Sequence, residues 1–161
     1  ETDGVFVHPT ATIEAGAIVK GPAIVSQRCF IAATAYLRGG VFLDQCVTLG
    51  PGTEVKSSVI MAQTVLAHFN FIGDSIVGAD VNFEAGAVIA NHYNERPKNA
   101  REVKLALDGA VIGTGVTKFG AVVGDHSRVG ANAVLSPGTV LKPGSVVARL
   151  HLVNQESAPG T

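Results

Sequence analysis

Arg38 and Lys56 stand eighteen residues apart, and His68 follows Lys56 by twelve. Each comes directly after an apolar residue: Leu37, Val55 and Ala67. Two cations held close together can grip an anion such as a phosphate. An imidazole, which titrates near neutrality, can act as a general base, a zinc ligand or a pH-sensitive surface group. The spacing speaks against zinc, because a site needs several converging ligands while His68, His92 and His126 are 24 and 34 residues apart; no metal is expected. Cys46 falls one residue short of eighteen after Cys29, and no basic group stands beside either thiol to activate it. Cys29 reads as a buried spacer, and no disulfide is expected.

These separations carry meaning because the chain has a period that divides them. Every sixth residue from Val7 to Ala67 is apolar: Val7, Ile13, Val19, Val25, Ile31, Leu37, Leu43, Leu49, Val55, Met61 and Ala67. Four residues further on in each hexad runs a second column of mostly small residues: Ala11, Ala17, Ala23, Cys29, Ala35, Val41, Val47, Thr53, Val59, Val65 and Phe71. This is neither the 3.6 period of a helix nor the alternation of an ordinary strand. It describes a short strand with one inward aliphatic, followed by a corner that admits little bulk. Three hexads close a triangular coil, and coils stack as parallel strands about 4.8 Å apart. The fold class is all-β, a single-stranded parallel β-helix of hexapeptide repeats. Arg38 and Lys56 then stack on one face, where two like charges repel by about 1 kcal/mol in water. Either they hold an anion between them, or they splay into solvent with Glu54 or Asp44 as counter-charge. His68 belongs to a different face.

The period resumes as Val123, Val129, Leu135, Leu141 and Val147. Between the two runs it shortens by one at Ile72 and at Val77, recovers at Phe83 and Ile89, and breaks across Asn91 to Thr117. There the polar stretch NHYNERPKNAREVK must leave the coil, and VKLAL and AVI flank an Asp108-Gly109 pair that signals a tight hairpin. The expectation is one domain over 1–161, interrupted by a loop and hairpin excursion at about 91–117. A net charge of -1 argues against nucleic acid as a partner, which requires a concentrated basic face. No run of eighteen apolar residues and no signal peptide is visible, so no membrane partner is expected and the chain reads as cytoplasmic. The first residue is Glu rather than Met, consistent with a missing upstream segment.

The segment AHFNFIGDSIVGADVNFEAGAVIAN resembles the signature of left-handed β-helix acyltransferases, above all the acetyltransferase domain of the bifunctional enzyme that makes UDP-N-acetylglucosamine. TKFGAVVGDHSRVGANAVLSPG is similar to archaeal-type sugar-1-phosphate nucleotidylyltransferases. The resemblance implies the left hand, which the period cannot give, and a homotrimer with sites between neighbouring prisms. It implies acetyl-CoA as acyl donor and an amino-sugar-1-phosphate or nucleotide sugar as acceptor. In its terms Arg38 and Lys56 grip the phosphate or nucleotide, His68 is the general base, and Asn82 binds the sugar. Ala85, Asn91, His92 and Ala131 line the coenzyme groove. Lys98, Lys104 and Lys118 can add charge for coenzyme phosphates or are solvated loop lysines. Two departures stand out. Phe71 replaces a Tyr whose hydroxyl meets the phosphate, and Glu84 replaces a Gly, setting a negative charge beside a polyanionic coenzyme. The other reading the resemblance allows is a non-catalytic, oligomerising or regulatory tail of a nucleotidylyltransferase.

Overall fold

A computed structural model describes residues 4–107 and 109–156. Strands of mostly two or three residues alternate with turns, and about eight coils stack into a parallel β-helix. Such short strands persist only because each is paired to the coils above and below it. The outward residues define three faces. Face A carries Ile18, Tyr36, Glu54, Phe71, Val88, Val134 and Leu152 in register. Face B carries Phe6, Ile24, Phe42, Val59, Ile76, Val122 and Val140, an unbroken apolar column. Face C carries Thr12, Phe30, Thr48, Val65, Asn82, Arg128 and Val146.

The interior departs from the expected register in its middle coils. Its column runs Val25, Ile31, Leu37, Leu43, Leu49 and Val55, then Ile60, Leu66, Ile72, Val77, Phe83 and Ile89, each at most 1% exposed. Met61, expected inside, is 37% exposed, and Ala67 is likewise not in the core. The shortening expected between Ala67 and Ile72 therefore falls between Val55 and Ile60, while the one between Ile72 and Val77 falls where the spacing puts it. The small column moves with it: Ser58, Thr64, Asn70 and Ser75 are buried, and Val59, Val65 and Phe71 face outward. The cause is a register shift between Arg38 and Val41, where Gly39-Gly40 is opposed by Ser57 alone. Ile60-Met61 and Leu66-Ala67 are adjacent apolar pairs, so both registers satisfy the hydrophobic pattern. Filling the column selects Ile60 and Leu66.

A shortened coil leaves a backbone amide out of reach of its usual carbonyl, and hydroxyls fill the gap. Ser58 Oγ accepts from the Ser75 amide at 3.1 Å and donates to Lys56 O at 2.7 Å. Thr64 Oγ1 does the same between the Val81 amide (3.1 Å) and Gly78 O (2.7 Å). Ser75 Oγ accepts from the Ala121 amide at 3.0 Å and donates to Gly73 O at 2.7 Å.

The excursion leaves the corner between faces A and B. Its neck is closed by the Phe119 amide on Asn91 O and the Gly120 amide on Asp74 O, both 2.9 Å. Beyond it, Lys104–Leu107 pairs antiparallel with Ala110–Gly113; Asp108, expected in the turn, lies outside the described residues. Tyr93 is buried beneath, its hydroxyl donating to Pro137 O at 3.0 Å, and burial pushes its pKa up to about 12. Among the described residues no helix is long and apolar enough to cross a membrane. Cys29 and Cys46 are unpaired, and burial pushes the Cys29 thiol up.

Candidate active site

Arg38 and Lys56 are register partners at the corner between faces A and B. Neither splays into solvent, and each has its own carboxylate. Glu54, outward on face A, accepts Arg38 Nε at 2.8 Å and Nη2 at 2.7 Å. Lys56 Nζ donates to both oxygens of Asp74 at 2.9 and 2.8 Å, with both side chains at most 20% exposed. Glu54 was one of the two expected counter-charges; Asp44 is not used, and Asp74 takes its place. The stacking therefore needs no external anion. Asp74 holds a left-handed backbone (φ 49), which Asp tolerates better than most residues.

Asp74 also anchors the start of the excursion. Asn91 Nδ2 donates to Asp74 Oδ2, and Asn91 Oδ1 lies 3.1 Å from His92 Nδ1. Because an ionised carboxylate only accepts, the Asn91 amide must turn its nitrogen to Asp74 and its oxygen to His92. His92 then donates from Nδ1. The Phe71 ring leans over Gly73 toward this cluster, because a β-carbon at Gly73 would meet both the ring's para carbon and Asn91 Nδ2 at 2.8 Å.

His68 sits at the opposite edge of face A, at the corner with face C, and is exposed. Its seat is built from glycine. A β-carbon on Gly50 would collide with the Ala67 carbonyl and come within 3.2 Å of His68 Nδ1, and one on Gly52 would enter the Phe69 ring. Phe69 itself is left-handed (φ 53), a strained state for a bulky residue at a cost of order 1–3 kcal/mol. Ala85 and Ala131 continue this corner below His68: the Gly86 amide bonds to His68 O at 2.8 Å and the Asn132 amide to Ala85 O at 3.0 Å. Asn82 is exposed on face C, one strand before Ala85, and borders a groove of about 450 Å³ that Glu84, Arg128 and Arg149 also line.

The expected residues thus form two clusters flanking one face. Arg38, Lys56, Asn91 and His92 meet at one edge; His68, Asn82, Ala85 and Ala131 lie along the other. The charge expected of Glu84 is neutralised. Its carboxylate takes Arg149 Nε and Nη2 at 2.7 and 2.8 Å and the Ala131 amide at 2.9 Å, and these bonds, Arg149 first, hold it below the usual carboxylate range. Asp74 and Arg149 were missed: Asp74 stands one residue past Gly73, the register partner of Lys56, in a shortened coil, and Arg149, eighteen after Ala131, meets Glu84 only across the excursion. Among the described residues no three His, Cys, Asp or Glu side chains cluster as a metal site.

Fold and register together define a hexapeptide-repeat β-helix. A hexapeptide transferase family protein from Anaplasma phagocytophilum shares the fold, with a TM-score of 0.54 at 18% identity over 92% of this chain and 72% of that one. No family model matches the chain. In sequence it is 36% identical over 90% of its length to a bifunctional sugar-1-phosphate nucleotidylyltransferase/acetyltransferase of Sulfurisphaera tokodaii. It is 34% identical over 79% to the bifunctional protein GlmU of Methanococcus vannielii. An uncharacterised acetyltransferase of Escherichia coli K12, YaiX, is 29% identical over the whole chain, which spans 69% of that protein. The chain spans only 37% and 30% of the two bifunctional proteins. It is a β-helix homologue of these nucleotidylyltransferase/acetyltransferases and of YaiX.

Proposed function

We propose that the chain is an acyl-CoA-dependent N-acetyltransferase acting on an amino-sugar-1-phosphate or a nucleotide sugar, with face A as the substrate platform. The observation that carries this reading is the pair of clusters at the two edges of one face. His68 and Gly73, the register partner of Lys56, are five residues apart in the chain, so their Cα atoms are at most about 18 Å apart. A phosphorylated hexosamine bridges that gap together with the Lys56 and His68 side chains. The anionic end lies against Arg38 and Lys56, and the amine lies at His68. Asn82 reaches the sugar from face C.

In this reading His68 takes the proton from the amine as its nitrogen attacks the thioester carbonyl carbon. The carbon–sulfur bond then breaks, and the imidazolium returns its proton to the departing thiolate. Acetyl-CoA lies along the corner of Ala85 and Ala131, where small side chains leave room, with Asn91 and His92 contributing from the other edge. Glu84 is compatible with it because Arg149 cancels its charge. Three copies assemble through the apolar column of face B, which would otherwise expose Ile24 at 48% and Ile76 at 49%.

The test is a thiol-release assay with acetyl-CoA across amino-sugar phosphates and nucleotide sugars. His68→Ala should lower the rate by at least about 10²-fold, and His92→Ala should act mainly on the Michaelis constant for acetyl-CoA. The Asp74–Asn91–His92 chain favours one variation, in which His92 Nε2 is the base; loss of turnover in His92→Ala with His68→Ala unaffected would establish it. No turnover with any acceptor would leave the non-catalytic tail.

A further inference from the structure

We propose that the anion site at the Arg38–Lys56 corner extends one coil nearer the N-terminus, onto Lys20 and Tyr36, and so takes a diphosphate. Lys20 precedes Arg38 by eighteen residues. The strand Ile18–Val19 pairs with Tyr36 and Leu37, and the Lys20 amide bonds to Leu37 O at 2.9 Å, so Lys20 continues the cationic column. Both cations lie over the Tyr36 ring, Lys20 Nζ at 5.3 Å and Arg38 Cζ at 5.8 Å from its centroid, which favours both heads at this corner.

Charge identifies Lys20 as the cation that a second phosphate meets. Glu54 occupies Arg38 and Asp74 occupies Lys56, while Lys20 has no carboxylate partner among the described residues. Among the described residues, three cations against two carboxylates leave one uncompensated positive charge, on Lys20. Hydrogen bonding points the same way. Phe71 has no hydroxyl, but Tyr36, two coils above it in the same outward column, has one with no hydrogen-bond partner among the described residues. The missing donor is thus present, displaced toward Lys20.

The column spans two coil spacings, about 10 Å. One phosphate reaches only two neighbouring cations, such as Arg38 and Lys56, whereas two linked phosphates reach along the column from Lys56 past Arg38 to Lys20. The diphosphate belongs to a nucleoside diphosphate sugar or to coenzyme A itself. This inference deepens the transferase reading and rests on it only for what is attached to the phosphates.

The experiment is calorimetric titration of the full chain, at fixed ionic strength, with inorganic pyrophosphate and with orthophosphate. Lys20→Ala should weaken pyrophosphate about tenfold and Tyr36→Phe several-fold, each leaving orthophosphate within about twofold. Lys142→Ala, an exposed lysine at another corner, should change neither. Equal losses for both anions in Lys20→Ala, no loss, or no pyrophosphate binding by the unaltered chain would overturn the proposal. Repeating the titration with UDP-glucosamine and with coenzyme A identifies the source, as the ligand whose affinity Lys20→Ala lowers; if neither falls, the proposal is overturned. Turnover is measured separately, so selective pyrophosphate binding without acetyl transfer would refute the transferase reading and leave the diphosphate site standing.

Discussion

Ser75→Ala removes one oxygen atom at the point where the chain re-enters the coil after its excursion. The hydroxyl accepts from the Ala121 amide, forty-six residues away, and donates to Gly73 O. Ser75 is 4% exposed and Ala121 0%, so water has no access to either orphaned group. A buried amide left without an acceptor costs about 1–3 kcal/mol, whereas the shape change from Ser to Ala is small. The expected loss is therefore about 2 kcal/mol, read from urea denaturation at fixed protein concentration. It should be accompanied by faster hydrogen exchange at Ala121. Ser145 provides the control. It holds a small-column position in a later coil, but its hydroxyl only donates, to Lys142 O at 2.6 Å, on an exposed corner. Ser145→Ala should stay within about 0.5 kcal/mol. Equal costs for the two substitutions would refute the idea that the Ser75 hydroxyl replaces a missing rung of the backbone ladder.

Two further outcomes follow from the surface. Glu84 is held below the usual carboxylate range by Arg149 and the Ala131 amide, so its contribution is complete above that range and is lost as pH falls through the depressed value. Protection of the Ala131 amide relative to an unfolded reference should drop over that acid window, and Glu84→Gln should lower it already at neutral pH; a pH-independent protection factor would contradict the linkage. On face B, Ile76→Lys sets an unpaired charge in the middle of the apolar column, next to Val59 and Val122. Sedimentation should show assembly weakened by about 10²-fold or more, and a trimer that tolerates the lysine would mean that another face makes the contact.

The site was legible wherever it depends on the coil length alone. Eighteen-residue spacing stacks Arg38 on Lys56, and the same rule applied once more toward the N-terminus gives Lys20, whereas toward the C-terminus the coil shortens, so Gly73 stacks on Lys56 and Asp74 follows it. Glu84 misled because a charge read from sequence has no visible partner; Arg149 is sixty-five residues away and meets it only through intervening coils. The roles proposed for His68 and Asn82 come from the resemblance and from no spacing.

What the sequence determined by itself was the period, and with it a triangular parallel coil, because only a six-residue repeat puts an aliphatic inside on every strand. What only the tertiary structure decided was the phase through the middle coils. Ile60 and Met61, like Leu66 and Ala67, are adjacent and apolar, so hydrophobicity is indifferent between them. The choice falls to volume in a closed column and to whether Ser58, Thr64 and Ser75 can reach the amides of neighbouring coils. Those contacts exist only once the coils are stacked.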